Sequence, residues 1–253
     1  MITDPTLYLV VIPAVLLTGI SKGGFGGALA GMAVPLMSLT ASPAQAAAVM
    51  LPILCVIDLV GFRVYFRKWD TENLKILIPG GLIGVFLGWL AFGSFSDGAL
   101  RLGLGAISIL FPLSTWIGVA MRQARAGRSV AKGTFWSGMA GFTSFVAHSG
   151  GPPLLIYLIP QRLDKVTYVA TVNLFFMIMN AVKLVPYAGL GQLSTSNLGT
   201  SLLLAPIVPI GVWIGLWAQG KGDQAKFYRI TEIGMLLTGL QLIHHELAGH
   251  WTP

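Results

Sequence analysis

The chain has 253 residues, of which 55% are hydrophobic and 10% are charged, whereas a soluble globular domain carries roughly 25% charged residues. Its net charge is +7 and its mean hydropathy is +0.77. This composition excludes a soluble enzyme, a disordered tail and a disulfide scaffold. It predicts a polytopic membrane protein whose helices each need about 20 apolar residues to span a bilayer.

The first half of the chain opens with an apolar stretch that a glycine-rich break interrupts, and three longer apolar segments follow. No Lys or Arg precedes Lys22, so this stretch lacks the basic flank of a cleaved signal peptide and is expected to remain in the protein. The single Cys55 lies in an apolar run, so no disulfide or Cys-x-x-Cys pair is expected. The predicted elements are residues 7–20, the break 21–27, residues 28–39, and long segments at about 44–66, 74–95 and 99–121.

The second half repeats this plan. The pieces beside each break are shorter than the roughly 20 residues of a full span, which predicts half-helices or a re-entrant hairpin. Irregular backbone at membrane depth is tolerated only where protein or a water-filled cavity shields it. The predicted elements are residues 135–146, the break 148–153, residues 154–159, and long segments at about 166–187, 198–217 and 227–243.

An internal repeat relates the two halves. Residues 83–93 (IGVFLGWLAFG) and 210–220 (IGVWIGLWAQG) are identical at six of eleven positions, at an offset of 127. Gly19 aligns with Gly141 at an offset of 122. Such self-similarity indicates one unit that has been duplicated. The predicted organisation is a single membrane domain over residues 1–253, with repeat halves 1–125 and 126–253.

Nearly all of the 16 Lys and Arg residues lie in or beside four loops, and this distribution predicts the topology. The positive-inside rule places basic loops in the cytoplasm, and the stretches that contain the two termini hold no Lys or Arg, so both termini are expected outside and the join inside. These loops carry Arg63, Arg67, Lys68 and Lys75; Arg122, Arg125, Arg128 and Lys132; Arg162 and Lys165; and Lys221 and Lys226. Because most of the positive charge lies in short loops between apolar segments, we expect the lipid bilayer and not nucleic acid as a partner.

If each broken stretch returns to its starting side, each half crosses the membrane three times. An odd number of crossings inverts the second half, as in many secondary transporters. Two extra crossings would leave this parity unchanged, so the charges do not distinguish a hairpin from a full crossing. The predicted fold is an all-α polytopic protein of the cell (inner) membrane, with two inverted-topology repeats that each combine a glycine-broken re-entrant or half-helix segment with three transmembrane helices.

The two breaks together predict an anion site. Glycine has no Cβ, so backbone N–H groups can approach a ligand closely, and a half-helix that begins at a break presents unpaired N–H donors and a partial positive charge. Lys22 adds a full charge. Three alternatives stay open: the glycines serve helix packing, Lys22 is a positive-inside anchor, and His148 is structural. The predicted substrate-binding residues are Ser21, Lys22, Gly23, Gly24, Gly26, Gly27, His148, Ser149, Gly150, Gly151, Asn173, Asn180 and Lys183.

A few further polar residues lie within the apolar segments. Asp58 lies in the middle of one, and Asn180 is its counterpart at an offset of 122. Asn173, Asn180 and Lys183 share one side of a helix by their spacing. Ionisable groups at this depth are costly and face a pathway or a partner. We predict Asp58 and His148 as candidates for proton coupling. The alternatives are that Asp58 pairs with Lys183 or makes a structural hydrogen bond, and that Lys183 snorkels to the interface.

The C-terminal His245-Glu246-Leu247-Ala248-Gly249-His250 resembles a zincin motif but does not match it. A zinc-binding helix needs two histidines four residues apart, whereas His245 and His250 are five apart. We therefore predict an exposed tail, no metal site and no cofactor.

The two breaks also carry a resemblance to a known family. Residues 19–27 (GISKGGFGG), with Pro35 following, resemble the first motif of the TauE/SafE sulfite and organosulfonate exporter family, and residues 147–153 (AHSGGPP) resemble its second-half counterpart. The resemblance covers nearly the whole chain. It implies a multi-pass carrier of small sulfur-containing anions, in which Lys22, the glycines of both breaks and His148 match the motif positions. It assigns no role to Asp58, Asn180 or Lys183.

The leading hypothesis is therefore a secondary carrier, and not an enzyme, for a small anion such as sulfite or a short organosulfonate. The glycine-rich run is not a nucleotide-binding loop, because no Gly-Lys-Ser/Thr follows it. Two alternatives remain, an intramembrane enzyme and a non-transporting assembly protein. The oligomeric state is also open, with a homodimer as one alternative.

Overall fold

The computed structural model describes residues 5–25, 27, 30–92, 94–117, 127–221 and 224–248. These residues form eleven α-helices and two short 3₁₀ helices, at Ala30–Met32 and Ile159–Gln161, and no strand. The predicted all-α class is therefore confirmed for the described part of the chain. In order, the helices are α1 Pro5–Gly24, α2 Ala33–Met37, α3 Pro43–Val64, α4 Thr71–Phe92, α5 Asp97–Trp116, α6 Val130–Ala147, α7 Gly151–Leu158, α8 Lys165–Gly189, α9 Thr195–Leu204, α10 Ile207–Lys221 and α11 Gln224–Leu247.

Helices α3, α4 and α8 are long and apolar enough to cross a membrane, and α9 with α10 make a fourth such span if the bent pair is counted as one. Shorter apolar helices lie at Tyr8–Gly24 and Gly98–Ser114. One face of α4 is exposed although it is strongly apolar, which suits contact with lipid and not with water. That face carries Leu82, Ile83, Phe86, Leu87, Trp89 and Leu90.

Side-chain caps begin corresponding helices in the two halves. The hydroxyl of Ser42 accepts a hydrogen bond from the Gln45 N–H at the start of α3. Asp164, 122 residues later, accepts from the N–H groups of Val166 and Thr167 at the start of α8. Caps of this kind satisfy the N–H groups that the first helical turn leaves unpaired.

The boundaries of both breaks differ from the sequence prediction. Helix α1 continues through Gly24, so the predicted break at residues 21–27 begins only after that residue. In the second half, Pro152 and Pro153 belong to the first turn of α7. Proline is well tolerated there, because the N–H that it lacks would have no partner within the helix.

Two predicted elements near the C-terminus also differ. The segment predicted at 198–217 is two helices, α9 and α10, which bend by 45° at Ala205 and Pro206. A proline removes a helical hydrogen bond and crowds the preceding turn. The predicted tail is exposed at Leu247, as expected, but it is helical as far as this residue, and the Glu246 carboxylate lies 4.0 Å from the Arg101 guanidinium. His250 and the following residues lie outside the described part.

The two halves pack against each other reciprocally. Helix α1 of the first half contacts α10 of the second, and α6 of the second half contacts α4 of the first. Helices α3 and α8, which occupy equivalent places, contact each other, and so do α5 and α11. Glycines allow close approach in both reciprocal pairs. A Cβ at Gly23 would lie 2.6 Å from the Val212 carbonyl oxygen, and a Cβ at Gly141 would clash with the carbonyl oxygen of Gly81.

Three of the predicted basic loops meet at one end of the molecule. The Arg128 guanidinium forms an ion pair with Asp70, at 2.6 Å, and thereby joins the start of α6 to the start of α4. The Asn73 amide donates to Gln161 Oε1 at 2.9 Å, which adds the loop before α8. These three loops thus lie at the same end of the fold, and the side of the membrane on which that end lies stays a prediction.

Candidate functional site

The same hydrogen bond occurs once in each half and holds the helix end that precedes each break. Tyr65 of α3 donates its hydroxyl to the carbonyl of Gly23 at 2.7 Å. Tyr187 of α8 donates to the carbonyl of Phe145 at 2.7 Å. The donor and the acceptor in the second half each lie 122 residues after their counterparts in the first half. The bonds satisfy carbonyl groups that the ends of α1 and α6 leave without helical partners.

Next to the first of these bonds, a buried ion pair joins α1 to α3. The Lys22 ammonium contacts Asp58 Oδ1, and both side chains are almost completely buried. Asn180 of α8 donates its amide to Asp58 Oδ2 at 2.6 Å. The Phe176 ring lies beside the cation, with its centroid 5.7 Å from Lys22 Nζ. The alternative pairing of Asp58 with Lys183 is therefore wrong, because the ion pairs within 4.0 Å among the described residues join Asp58 to Lys22 and not to Lys183.

Lys183 lies in a second group, with Ser144 and His148. Its ammonium, fully buried, donates to the Ser144 carbonyl at 2.9 Å and to the Ser144 hydroxyl at 3.0 Å, and it contacts His148 Nδ1 at 2.9 Å. No ion pair among the described residues includes Lys183. The snorkelling alternative does not apply, since the side chain points to these acceptors and not to an interface.

These contacts determine the tautomer of His148. An ammonium can only donate, so Nδ1 accepts from Lys183 and carries no proton. The proton lies on Nε2, which donates to the Ala47 carbonyl at 2.9 Å. The ring is neutral, and both nitrogens are occupied. His148 takes the left-handed conformation, with φ of 52°, that ends α6.

A small cavity lies between the two groups. Its volume is about 10 Å³, roughly enough for one water molecule. The lining residues come from both breaks and from α3, α6 and α8: Lys22, Gly27, Ala30, Leu54, Ser144, His148, Gly151, Phe176 and Asn180. The structure therefore brings the two breaks together. We call Lys22, Asp58, Ser144, His148, Asn180 and Lys183 the polar cluster.

The breaks also touch directly. The hydroxyl of Ser149, in the second break, donates to the carbonyl of Gly31, just after the first, at 3.0 Å. The backbone offers few donors here, because two of the first three residues of α7 are prolines without an N–H. The charged and hydrogen-bonding groups around the cavity are therefore mainly side chains.

Several predicted site residues lie elsewhere or have packing contacts. Gly23 and Gly24 face α10, and Gly150 packs against α6 and the Phe176 ring. Asn173 donates its amide to the Lys22 carbonyl at 3.2 Å and is not among the residues that line the cavity. Ser21 is buried at the end of α1, where its carbonyl accepts from Phe25 and Gly27. Gly26 lies outside the described residues. The substrate-binding role of all these residues stays a prediction.

Sequence reasoning missed three members or neighbours of the site. Ser144 is the counterpart of Lys22 at an offset of 122, and Phe176 follows Asn173 by less than one turn of α8. The repeat offset would have pointed to Ser144. No sequence signal points to the Ala47 carbonyl that holds His148, because every residue has a carbonyl group. The described residues contain no group of three or more His, Cys, Asp and Glu side chains that would hold a metal ion.

Comparison with known proteins gives one match. A family model described as "Sulfite exporter TauE/SafE" matches residues 11–242, which is nearly the whole chain and includes both breaks. Searches of curated proteins and of solved structures each returned no significant match.

Proposed function

Because the chain belongs to the TauE/SafE sulfite exporter family, we propose that it is a secondary carrier that moves a small sulfur-containing anion, such as sulfite or a short organosulfonate, out of the cell. The membership and the apolar helices make it a membrane protein of a transporter family. The identity of the anion, the direction of transport and the site belong to the proposal.

The observation that carries the proposal is the charge of the polar cluster. Lys22 is paired with Asp58, whereas Lys183 is equally buried and has only neutral hydrogen-bond partners. An ionised group inside a membrane protein is costly, and it persists where it pairs or faces a transport pathway. Lys22 lines the cavity, and Lys183 contacts Ser144 and His148, which also line it. When both amines are protonated, their charge exceeds that of Asp58 by one, which favours a substrate anion in the cavity.

The reciprocal packing of the halves supports alternating access. Helices of one half contact the equivalent helices of the other, and the cavity lies between the two breaks. This is the arrangement of carriers built from inverted repeats, in which one half rocks against the other around a central site. In the proposed topology, the basic end of the molecule faces the cytoplasm and both termini face outward.

Energy for export comes, in this proposal, from existing gradients. A membrane potential with a negative interior contributes about 2.3 kcal/mol per charge per 100 mV, which favours the exit of an anion.

Asp58 is the better candidate for a coupling proton. Its carboxylate holds Lys22, so protonation of Asp58 would release the cation for the substrate. On His148, a proton at Nδ1 would have to displace Lys183.

The proposal is tested by measuring flux in proteoliposomes loaded with sulfite, sulfate, thiosulfate, a short sulfonate or a carboxylate. We expect flux of sulfite or a sulfonate above that of protein-free liposomes. Lys22→Ala should weaken the apparent affinity by about 10- to 150-fold, because a charge-assisted contact contributes roughly 1.5–3 kcal/mol. Lys22→Arg should keep part of the affinity, since the charge remains and the geometry changes.

Lys75→Ala is the matched control, because Lys75 is exposed and pairs only with Glu72 of its own helix among the described residues. It should transport like the wild type. Absence of flux for every anion with correctly folded wild-type protein would refute the carrier. If a folded Lys22→Ala protein keeps the wild-type affinity, Lys22 is not part of the substrate site.

A further inference from the structure

The Asn180 side chain is only half satisfied, although it is 2% exposed and lines the cavity. Its amide nitrogen donates to Asp58 Oδ2 at 2.6 Å, whereas its carbonyl oxygen Oδ1 has no partner among the described residues. A buried polar atom without a hydrogen bond costs roughly 1–3 kcal/mol. This atom is therefore a place where an occupant of the cavity gains a hydrogen bond.

The orientation of the Asn180 amide follows from its neighbour. An ionised carboxylate only accepts hydrogen bonds. If the amide were flipped, Oδ1 would face Asp58 Oδ2 and two acceptors would lie at hydrogen-bonding distance. The donor of Asn180 thus points to Asp58, and the acceptor remains for a ligand that brings a hydrogen atom.

The charges around the cavity restrict the ligand in a second way. Lys22 lines the cavity and forms an ion pair with Asp58, and His148 is neutral by its hydrogen bonds. Lys183 contacts the lining residues Ser144 and His148 and adds a positive charge when it is protonated. These four groups sum to one positive charge. A single negative charge on the ligand compensates it, whereas a dianion would bring an uncompensated charge into a buried site at a high cost.

We propose that the cavity, which in this conformation has room for about one water molecule, widens during transport and takes a small oxyanion that carries one negative charge and one hydroxyl donor, with the hydroxyl directed to Asn180 Oδ1 and the negative oxygens on the side of Lys22. The proposal rests on the carrier function proposed above and specifies its substrate class. Hydrogen sulfite, in its hydroxyl form, has this chemistry, and so does hydrogen carbonate. A sulfonate has the charge but no donor, and sulfate at neutral pH is a dianion without a donor.

Asn180 thereby becomes a residue that determines specificity. A ligand without a donor leaves Oδ1 buried and unpaired, which penalises it relative to one that donates. Sites built to hydrogen-bond a substrate reject an analogue that lacks the bond for this reason. The effect should appear in relative affinities and not in protein stability, because the missing partner belongs to the ligand.

The test measures equilibrium binding to the purified full-length protein at a slightly acidic pH, where sulfite is mainly hydrogen sulfite. The probes are sodium hydrogen sulfite, hydrogen carbonate, methanesulfonate and sulfate. We expect the wild type to bind hydrogen sulfite about 5- to 150-fold more tightly than methanesulfonate. Asn180→Leu should reduce this preference to within about 2-fold. Asn197→Leu is the control, since this buried amide donates to the Gln192 carbonyl and does not line the cavity.

The outcomes separate this proposal from the carrier function. Equal wild-type affinity for hydrogen sulfite and methanesulfonate overturns the donor requirement and leaves the carrier intact, whatever Asn180→Leu does. An unchanged preference in a folded Asn180→Leu protein also overturns it. Binding of hydrogen carbonate without hydrogen sulfite supports the hydroxyl donor and refutes the sulfur anion. If no probe binds and no flux is seen, the carrier function and this inference fail together.

Discussion

Asp58 and Asn180 occupy equivalent positions in the two halves of the chain, 122 residues apart, and they are hydrogen-bonded to each other at 2.6 Å. In an arrangement related by a two-fold axis, a residue meets its own counterpart only near the axis. The pair joins the two halves in the middle of the polar cluster, as expected of residues near the axis of the proposed inverted repeat. The counterparts differ chemically, so the cluster is asymmetric in charge although its scaffold is repeated.

The first prediction separates the structural role of Lys22 from its role in binding. Lys22→Ala leaves Asp58 buried without its cation and should lower the free energy of unfolding by about 3–5 kcal/mol. Lys22→Ala combined with Asp58→Asn removes both charges and should restore most of that loss. The measurement is chemical unfolding of the detergent-solubilised protein. Equal destabilisation in the single and double variants would mean that the ion pair is not what stabilises this contact.

The second prediction concerns proton coupling. Asp58→Asn retains a group of similar shape that can still accept from Asn180 but cannot take up a proton. We expect an imposed proton gradient to stimulate anion flux in wild-type proteoliposomes and to have no effect on Asp58→Asn. His148→Gln is the comparison, and it should keep the stimulation. If Asp58→Asn responds to the gradient as the wild type does, Asp58 is structural.

The third prediction concerns the contact between α1 and α10. A Cβ at Gly24 would clash with the carbonyl oxygen of Gly215, so Gly24→Ala should destabilise the protein by about 1–3 kcal/mol through overpacking. Gly103→Ala is the matched control. No atom lies within 4 Å of a Cβ at Gly103, and alanine favours a helix by roughly 0.5–1 kcal/mol over glycine. A thermal melt that shifts equally for both variants contradicts the close contact.

The fourth prediction is a pH dependence at the basic end of the molecule. Partial burial opposes ionisation of Asp70, but hydrogen bonds from the Asn73 N–H and the Arg128 guanidinium outweigh it and lower the pKa of this carboxyl. A lowered pKa in the folded state stabilises the fold above the unfolded value of about 3.9. That contribution is lost as the pH falls through the folded value.

The measurement is the unfolding free energy of wild type and Asp70→Asn as a function of pH. The wild type should be more stable near neutral pH, and the difference should shrink as the pH falls below about 4. If the difference in unfolding free energy stays constant over this pH range, the effect of Asp70→Asn comes from the shape of the side chain and not from its charge.

The fifth prediction is the membrane topology. Fusions of reporters to the basic loops and the join should report a cytoplasmic location, because basic loops resist translocation. Fusions to the loops that lack Lys and Arg and to the C-terminus should report an external one. If Ala126 and the C-terminus lie on the same side, the inverted repeat is wrong. The cytoplasmic positions are Lys68, Ala126 and Gly222, and the external ones are Ser42, Ser96, Ser194 and Pro253.

Much of this protein was predictable because the signals are local. Long apolar runs predict helices of the right class. The capping residues Ser42 and Asp164 mark the starts of α3 and α8 by local chemistry alone. The offset of 122 residues relates Asp58 to Asn180 before any coordinates are known. Composition, charge distribution and self-similarity thus determined the membrane class, the duplicated plan and the candidate polar residues.

The tertiary structure decided which of those residues meet. Asp58 pairs with Lys22, 36 residues away, and not with Lys183. The crossing of α1, α3 and α8 sets the distances between these side chains, whereas helical periodicity relates only residues of the same helix. The same applies to the first break. Glycine is a poor helix former in isolation, yet Gly23 and Gly24 are helical because they pack against α10 from the other half. Helix propensity depends on each segment alone, whereas close packing between distant segments determines which side chains pair and where α1 ends.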